Sequence, residues 1–242
     1  MSFEVLVEDT AANRHFLIIG HRGAAGEKFE NSLSGFKHAL SLDIDAIELD
    51  IRAHKGELWV IHDHELSRLT AVKGLFDDLE NPGDTLLNNG EPIPRLRDIL
   101  DLYWGKMPVN IEIKSLNTAK LLLELLSQYP ALPDAPDLPW IIISSFDHRQ
   151  ILELRQLGCE WALAPVSYGI PMQPLEMIKT LQPYSWHIDN EYLDKNLVRQ
   201  IQDQGVRVMM YTVNDADQAA HLKKSGLDGI FTDFPSILRL ID

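Results

Sequence analysis

The sequence is poor in cysteine and basic residues, and it has no long hydrophobic run. Cys159 is the single cysteine, which excludes an internal disulfide and is typical of a reducing, cytoplasmic environment. The net charge is −14, from 36 acidic and 22 basic residues. Nucleic acids and anionic membranes both attract basic patches, so neither is an expected partner. Without an apolar stretch long enough for a leader or a membrane span, we expect no membrane insertion.

Short apolar runs alternate with longer amphipathic segments along the whole chain of 242 residues. Such alternation predicts parallel strands joined by helices. Repeated eight times in this length, it predicts an α/β fold, a (β/α)8 TIM barrel that forms a single domain over residues 1–242. A doubly wound open sheet is the alternative. The eight predicted strands are residues 17–20, 46–52, 109–114, 140–144, 161–165, 185–188, 206–213 and 229–232.

One interval departs from this alternation, after the second predicted strand. The chain turns at residues 54–57 and continues as the apolar run 58–62, which predicts a short β-hairpin. The hairpin would return His62 to the strand that carries Glu48 and Asp50. Residues 63–94 are polar and rich in turn signals, so we interpret them as a cap inserted on the loop side of the barrel.

Carboxylates occur inside two of the predicted strands. Glu48 and Asp50 share one face of the second strand, with apolar residues on the other face, and Glu112 has the same position in the third. Three carboxylates this close require a cation, and oxygen ligands select one hard divalent ion, Mg²⁺ or Ca²⁺. The structural alternative is a set of ion pairs, Glu112 with Lys114 and Asp50 with Arg52.

The end of the first predicted strand carries His21, Arg22 and Gly23. Catalytic residues of barrels lie at such strand ends, the guanidinium fork suits phosphate, and glycine permits close backbone approach. His62 supplies a second histidine, so the pair fits general acid and base roles. The site would hold three carboxylates, a divalent ion and the cationic side chains of Arg22 and Lys114. Its net charge is then about +1, which suits a phosphodiester anion.

These strings, taken together, resemble the glycerophosphodiester phosphodiesterases. The matching motifs, in chain order, are HRGAAGEKFENSLSGF, AIELDIRAHKGELWVIHDHELSRLT, IPRLRDIL, NIEIKS, SSF at 144–146, YTVN at 211–214 and TDFP at 232–235. The resemblance implies a (β/α)8 barrel that hydrolyses glycerophosphodiesters, such as glycerophosphocholine and glycerophosphoethanolamine, to glycerol 3-phosphate and an alcohol in a metal-dependent reaction. It implies an acid–base pair of His21 and His62, a metal held by Glu48, Asp50 and Glu112, and phosphate contacts from Arg22 and Lys114.

Two aromatic residues complete the predicted substrate site. Tyr211 stands where this family commonly has tryptophan, and it offers an aromatic wall for glycerol or for the leaving alcohol. Phe146 lines the leaving-group pocket in one interpretation and is ordinary packing in the other. Whether water or the glycerol 2-hydroxyl attacks phosphorus is left open by the sequence, as is the oligomeric state.

Two other functions remain open from the sequence. A lysophospholipase D, or another metal phosphodiesterase of the same superfamily, would need an apolar channel, for which 75–76 and 86–87 are the local hint. A metal-binding barrel without turnover would not need two histidines. Helix capping is the preferred interpretation for Asn31, Asn214 and Asp233.

Overall fold

The computed structural model describes residues 14–133 and 138–241. Its strands are β1 (Leu17–Gly20), β2 (Ala46–His54), β3 (Glu57–Val60), β4 (Val109–Ile113), β5 (Ile141–Ser145), β6 (Ala162–Ser167), β7 (Ser185–Asp189), β8 (Arg207–Tyr211) and β9 (Gly229–Thr232). Its α-helices are α1 (Leu33–Leu40), α2 (Leu96–Tyr103), α3 (Ala119–Leu126), α4 (His148–Gln156), α5 (Pro174–Leu181), α6 (Lys195–Gln202), α7 (Ala216–Lys224) and α8 (Pro235–Leu238).

Eight of these strands form a closed parallel barrel. They follow one another in the order β1-β2-β4-β5-β6-β7-β8-β9, and β9 pairs with β1 to complete the circle. The (β/α)8 prediction is therefore confirmed, and the doubly wound sheet is wrong because an open sheet would leave two edges. The predicted strand bounds differ from the observed ones by up to about two residues, as is usual at element ends.

The barrel separates apolar side chains into an inner and an outer layer. Alternate residues of β2, among them Ile47 and Leu49, face outward into a cluster shared with α1, α2 and α3. The inward residues fill the lower barrel, where Leu17, Ile142 and Met209 pack together. This apolar floor leaves the upper barrel, at the carboxyl ends of the strands, for polar side chains.

The predicted hairpin is present next to β2. β3 pairs with β2 in antiparallel fashion, and the turn between them has Lys55 at φ 49° and Gly56 at φ 81°. Beyond β3, the N–H of Ile61 donates to the carbonyl oxygen of Asp50 over 3.0 Å. This bond returns the chain to the carboxylate-bearing strand, so the next residue, His62, lies beside it.

The predicted insertion at residues 63–94 is built mainly from turns. It contains two short 3₁₀ segments, Phe76–Asp78 and Pro82–Asp84. Its own apolar cluster packs against the hairpin and consists of Trp59, Ile61, Leu66, Leu69, Phe76, Leu87 and Ile93. The insertion is therefore a packed cap on the barrel and not an open loop.

Candidate active site

Glu48, Asp50 and Glu112 converge at the top of β2 and β4. Asp50 and Glu112 are direct partners in the parallel pairing of these strands, and Glu48 lies two residues before Asp50 on the same inward face. All three are buried, and one carboxylate oxygen from each lies within 4.8 Å of the others. The strands themselves thus create a compact cluster of oxygen ligands.

The electrostatics of this cluster fit a cation. Burial, together with the charges of Asp50 and Glu112, raises the pKa of Glu48 well above its usual range. Burial also raises the pKa of Glu112. Within the described residues, Glu48 Oε1 is buried without a hydrogen-bond partner. A divalent ion would supply both the missing charge and the missing contact.

Two cationic side chains approach the cluster from the strand ends. Lys114 Nζ contacts Glu112 and lies 3.3 Å from Asp50 Oδ1, and Arg22 Nε lies 3.2 Å from Asp50 Oδ2. Burial would raise the pKa of Asp50, but Lys114 and Arg22 hold it well below its usual range. These two cations therefore favour the ionised form of Asp50.

Arg52 does not pair with Asp50, so that part of the ion-pair alternative is wrong. Its guanidinium donates to the main-chain carbonyl oxygen of His62 over 2.8 and 3.0 Å, and to that of Lys114 over 3.2 Å. Arg52 thus fixes the backbone at two residues of the predicted site. The predicted pairing of Glu112 with Lys114 is present alongside the carboxylate cluster.

The turn after β1 brings the first histidine and arginine to the cluster. Arg22 has φ 49° and Gly23 has φ 87°, and a side chain at Gly23 would meet Phe36 at 3.1 Å. The N–H of Arg22 donates to Glu48 Oε2 over 2.8 Å. The left-handed turn is therefore held by one of the candidate metal ligands.

His21 is oriented by a carboxylate from the other end of the chain. Its Nδ1 lies 2.7 Å from Asp233 Oδ1, and Asn214 Nδ2 donates to Asp233 Oδ2 over 2.7 Å. An ionised carboxylate only accepts, so Nδ1 carries the proton and Nε2 points toward Glu48, 4.0 Å away. The capping interpretation of Asn214 and Asp233 is wrong, because Asp215 caps α7 and α8 begins after Phe234.

His62 has the same arrangement with its sequence neighbour. Nδ1 lies 2.6 Å from Asp63 Oδ1, and Arg68 donates two hydrogen bonds to Asp63, of 2.6 and 2.9 Å. Arg68 also makes two bonds to Glu30, which in turn accepts from Arg22 over 2.7 Å. One continuous chain of ion pairs thus links the second histidine to the arginine of the first turn.

Asn31 serves the cluster and not a helix end. Its Nδ2 donates to Asp50 Oδ2 over 2.8 Å, while the N-cap of α1 is Ser32, whose Oγ accepts from the Gly35 N–H. The capping interpretation of Asn31 is therefore wrong. The next residue takes the capping role because Asn31 adopts φ 52° and turns inward.

A cavity of about 250 Å³ opens above the cluster at the carboxyl ends of the strands. It brings together eight of the nine predicted site residues: His21, Arg22, Glu48, His62, Glu112, Lys114, Phe146 and Tyr211. The ninth, Asp50, is buried against Arg22 and Lys114. Three further residues, Asp233, Asn214 and Arg68, support the two histidines, a role that the sequence did not predict.

The two predicted aromatic residues contact each other at the edge of this cavity, and Phe146 also lies beside Lys114. Lys114 Nζ lies 5.0 Å from the centre of the Phe146 ring, which meets the Tyr211 ring edge to face at 5.8 Å. The Tyr211 hydroxyl donates to the carbonyl oxygen of Ser167 over 3.0 Å. Since that hydroxyl is already hydrogen-bonded, Tyr211 lines the cavity with its aromatic ring.

Comparison with known families agrees with this geometry. The Glycerophosphoryl diester phosphodiesterase family model matches residues 21–237. The chain belongs to this family. It is a phosphoric diester hydrolase on a TIM barrel, as the sequence motifs predicted.

Two curated proteins and one solved structure illustrate the relationship. Glycerophosphodiester phosphodiesterases of Bacillus altitudinis and of Caldanaerobacter subterraneus subsp. tengcongensis are 30% and 29% identical, covering 90% and 92% of this chain and 94% and 96% of theirs. A phosphodiesterase of Oleispira antarctica, solved in complex with the product sn-glycerol-3-phosphate, superposes with a TM-score of 0.84 at 28% identity. That match covers 92% of this chain and 95% of the other.

Among the described residues, none of the helices has the length and apolar character required to cross a bilayer.

Proposed function

We propose that the barrel hydrolyses glycerophosphodiesters such as glycerophosphocholine and glycerophosphoethanolamine, releasing glycerol 3-phosphate and an alcohol. One observation carries the proposal: two histidines, each bound to a carboxylate through Nδ1, flank a buried three-carboxylate cluster beside Arg22 and Lys114. This arrangement combines an acid–base pair with two cations for a phosphate. The family's activity and the product found with the Oleispira antarctica relative support it.

Glu48, Asp50 and Glu112 would hold the divalent ion, and their oxygen ligands suit Mg²⁺ or Ca²⁺. The unpartnered Glu48 Oε1 is the feature of this chain that fits such an ion. When bound, the ion would supply Lewis-acid stabilisation of charge on a phosphoryl oxygen. Arg22 and Lys114 add two fixed positive charges at the same end of the barrel.

His62 is the better candidate for the general base. Burial, with the charges of Arg22 and Lys114, lowers the pKa of His62 in spite of its bond to Asp63, so its neutral form dominates near neutral pH. Neutral Nε2 accepts a proton from the attacking hydroxyl, either of water or of the substrate's own glycerol. His21 then protonates the alkoxide as the phosphorus–oxygen bond to the alcohol breaks. Attack by the glycerol hydroxyl gives a cyclic phosphate, which water then opens to glycerol 3-phosphate. The two roles require opposite protonation states, so activity should have a bell-shaped pH profile.

A lysophospholipase D would need an apolar channel, but the described residues that hinted at one do not line the cavity. Phe76 and Leu87 are buried in the insertion's own cluster, and Leu75 and Leu86 are exposed on the insertion. This favours small glycerophosphodiesters over acylated ones. A barrel that only binds metal has no use for two carboxylate-oriented histidines.

We further propose that the chain works as one domain, residues 1–242 with the cap at about 63–94, in the cytoplasm. The single cysteine supports that location.

The test is hydrolysis of glycerophosphocholine by the purified chain with Mg²⁺ or Ca²⁺, measured as release of glycerol 3-phosphate. We expect release with at least one metal and its loss after chelation, restored by adding that metal back. Comparing the rate of glycerol 3-phosphate release with Mg²⁺ and with Ca²⁺ identifies the ion that supports activity better. Absence of release from glycerophosphocholine and glycerophosphoethanolamine with both metals would contradict the proposal.

A further inference from the structure

The cavity has a second wall on the side of the barrel opposite the carboxylates. Tyr168 follows the end of β6, Asp189 ends β7 and Tyr211 ends β8, and all three line the cavity. Asp189 and Tyr211 are direct partners in the pairing of β7 with β8. Ser167 pairs with Ile188, which places Tyr168 next to Asp189. The three side chains therefore form a continuous row across neighbouring strand ends.

Strand alternation directs this row into the cavity. Val166 and His187 are buried and line the same cavity, and each lies two residues before a member of the row. Residues two apart share a face of a strand, so Tyr168 and Asp189 point the same way but one layer higher. Tyr168 is 60% exposed, which places the row at the mouth of the cavity.

This wall is negative and aromatic. Asp189 supplies the charge, and its Oδ1 accepts the N–H of Glu191 over 2.9 Å. The charge of Glu191, with those of Tyr192 and Asp189, raises the pKa of Tyr168. The Tyr168 ring also meets the Tyr192 ring edge to face at 5.7 Å. A carboxylate between aromatic faces is a site that attracts an organic cation.

The cavity is therefore polarised across the barrel. Arg22 and Lys114 stand on the side of β1 and β4, whereas Asp189 and the tyrosines stand on the side of β6 to β8. A diester with an anionic phosphate and a cationic alcohol has the same separation of charge. A neutral alcohol would gain nothing from the carboxylate.

We propose that Tyr168, Asp189 and Tyr211 form a subsite for the cationic group of the leaving alcohol, so that the enzyme selects zwitterionic glycerophosphodiesters. This inference rests on the proposed function and assigns the leaving group to one wall of that site. Asp189 contributes charge, and the two rings contribute π faces for an ammonium.

The test compares glycerophosphocholine with its neutral carbon isostere, the 3,3-dimethylbutyl diester, which has the same shape without the charge. We expect kcat/KM of the wild-type chain to favour the choline diester. Asp189→Asn should lower this preference about five- to tenfold, since the amide keeps the bond to the Glu191 N–H but loses the charge. Asp194→Asn is the matched control, because the Asp194 carboxylate likewise accepts a main-chain N–H, at the start of α6, but does not line the cavity.

A second pair of variants tests the aromatic contribution. Tyr168→Leu should lower the preference for the choline diester several-fold, and Tyr168→Phe should keep it because the ring remains.

Three results separate the possibilities. An unchanged preference in Asp189→Asn and Tyr168→Leu would overturn the inference while leaving the proposed function intact. An equal loss for both diesters would also overturn it, because it would show that this wall holds the glycerol that the two substrates share. Failure of the wild-type chain to cleave either diester would overturn the proposed function and this inference with it.

Discussion

Each candidate catalytic histidine is paired at Nδ1 with an aspartate, but the two aspartates come from different parts of the chain. Asp63 follows His62 directly, whereas Asp233 lies 212 residues from His21. Both bonds fix the ring and leave Nε2 toward the cavity. A histidine held in this way is ready to transfer protons without first ordering its side chain.

The first prediction concerns these histidines. His21→Ala and His62→Ala should each lower kcat by about 10²- to 10⁴-fold, the usual contribution of a positioned acid or base. The fold should survive, because both side chains are partly exposed at the cavity. Turnover of glycerophosphocholine and circular dichroism measure the two effects. His221→Ala, on the exposed face of α7, is the control, and wild-type turnover in either site variant would contradict the assigned role.

The second prediction concerns the carboxylate cluster. Glu112→Gln should raise the metal concentration needed for half-maximal activity, because a neutral amide is a weaker ligand for a hard ion than a carboxylate. Metal titration of the activity after chelation gives this concentration. Glu124→Gln, an exposed change on α3, should leave it unaltered. An unaltered requirement in Glu112→Gln would remove Glu112 from the ligand set.

At the scale of elements, the insertion is tied to the turn after β1. Arg68, in the insertion, makes paired bonds to Asp63, also in the insertion, and to Glu30 in the segment between β1 and α1. Glu30 continues to Arg22. The cap therefore positions both a candidate base and a candidate phosphate ligand.

The third prediction tests this connection. Arg68→Lys should lower kcat/KM about tenfold, because an ammonium cannot bind two carboxylates with the paired geometry of a guanidinium. Loss of support for Asp63 should lower kcat, and loss of support for Glu30 and Arg22 should raise KM. Arg97→Lys is the control, because Arg97 on α2 bonds Gln128, just after the end of α3, and does not line the cavity. A drop in thermal stability with unchanged kcat and KM would show that Arg68 acts only in folding.

The elements also explain which parts of the site were predictable. The carboxylate cluster was predictable, because strand alternation fixes which side chains face inward and consecutive parallel strands are neighbours. This holds for Glu48, Asp50 and Glu112. His62 was, because a two-residue turn fixes a hairpin. Asp233 was not, since its role depends on closing the barrel between β9 and β1, and Asp-Phe-Pro before a helix also fits a cap. Arg68 was not, because turns in an insertion have no periodicity from which a side-chain direction follows.

At the scale of the whole molecule, the barrel buries a titratable group that the proposed reaction does not use. His187 lies inside β7, bonded to Ser185 Oγ over 3.0 Å and packed on the Phe231 ring at 4.6 Å. Burial lowers the pKa of His187 to about 3. A histidine in the unfolded chain has a pKa of about 6.5. Below that pH, His187 therefore binds a proton in the unfolded state but stays neutral in the folded state until the pH approaches 3.

The last prediction follows from this difference. His187 contributes stability that is nearly complete at about pH 8 and declines as the pH falls toward 3, so between about pH 8 and 5 its contribution should fall by about 2 kcal/mol. His187→Gln removes the titration, and the free energy of unfolding should then lose about 2 kcal/mol less over the same interval. Urea unfolding at several pH values measures this slope, independently of any change in absolute stability caused by the substitution. His221→Gln, which alters an exposed histidine, should keep the wild-type slope, and an equally steep slope in His187→Gln would show that other groups govern acid unfolding.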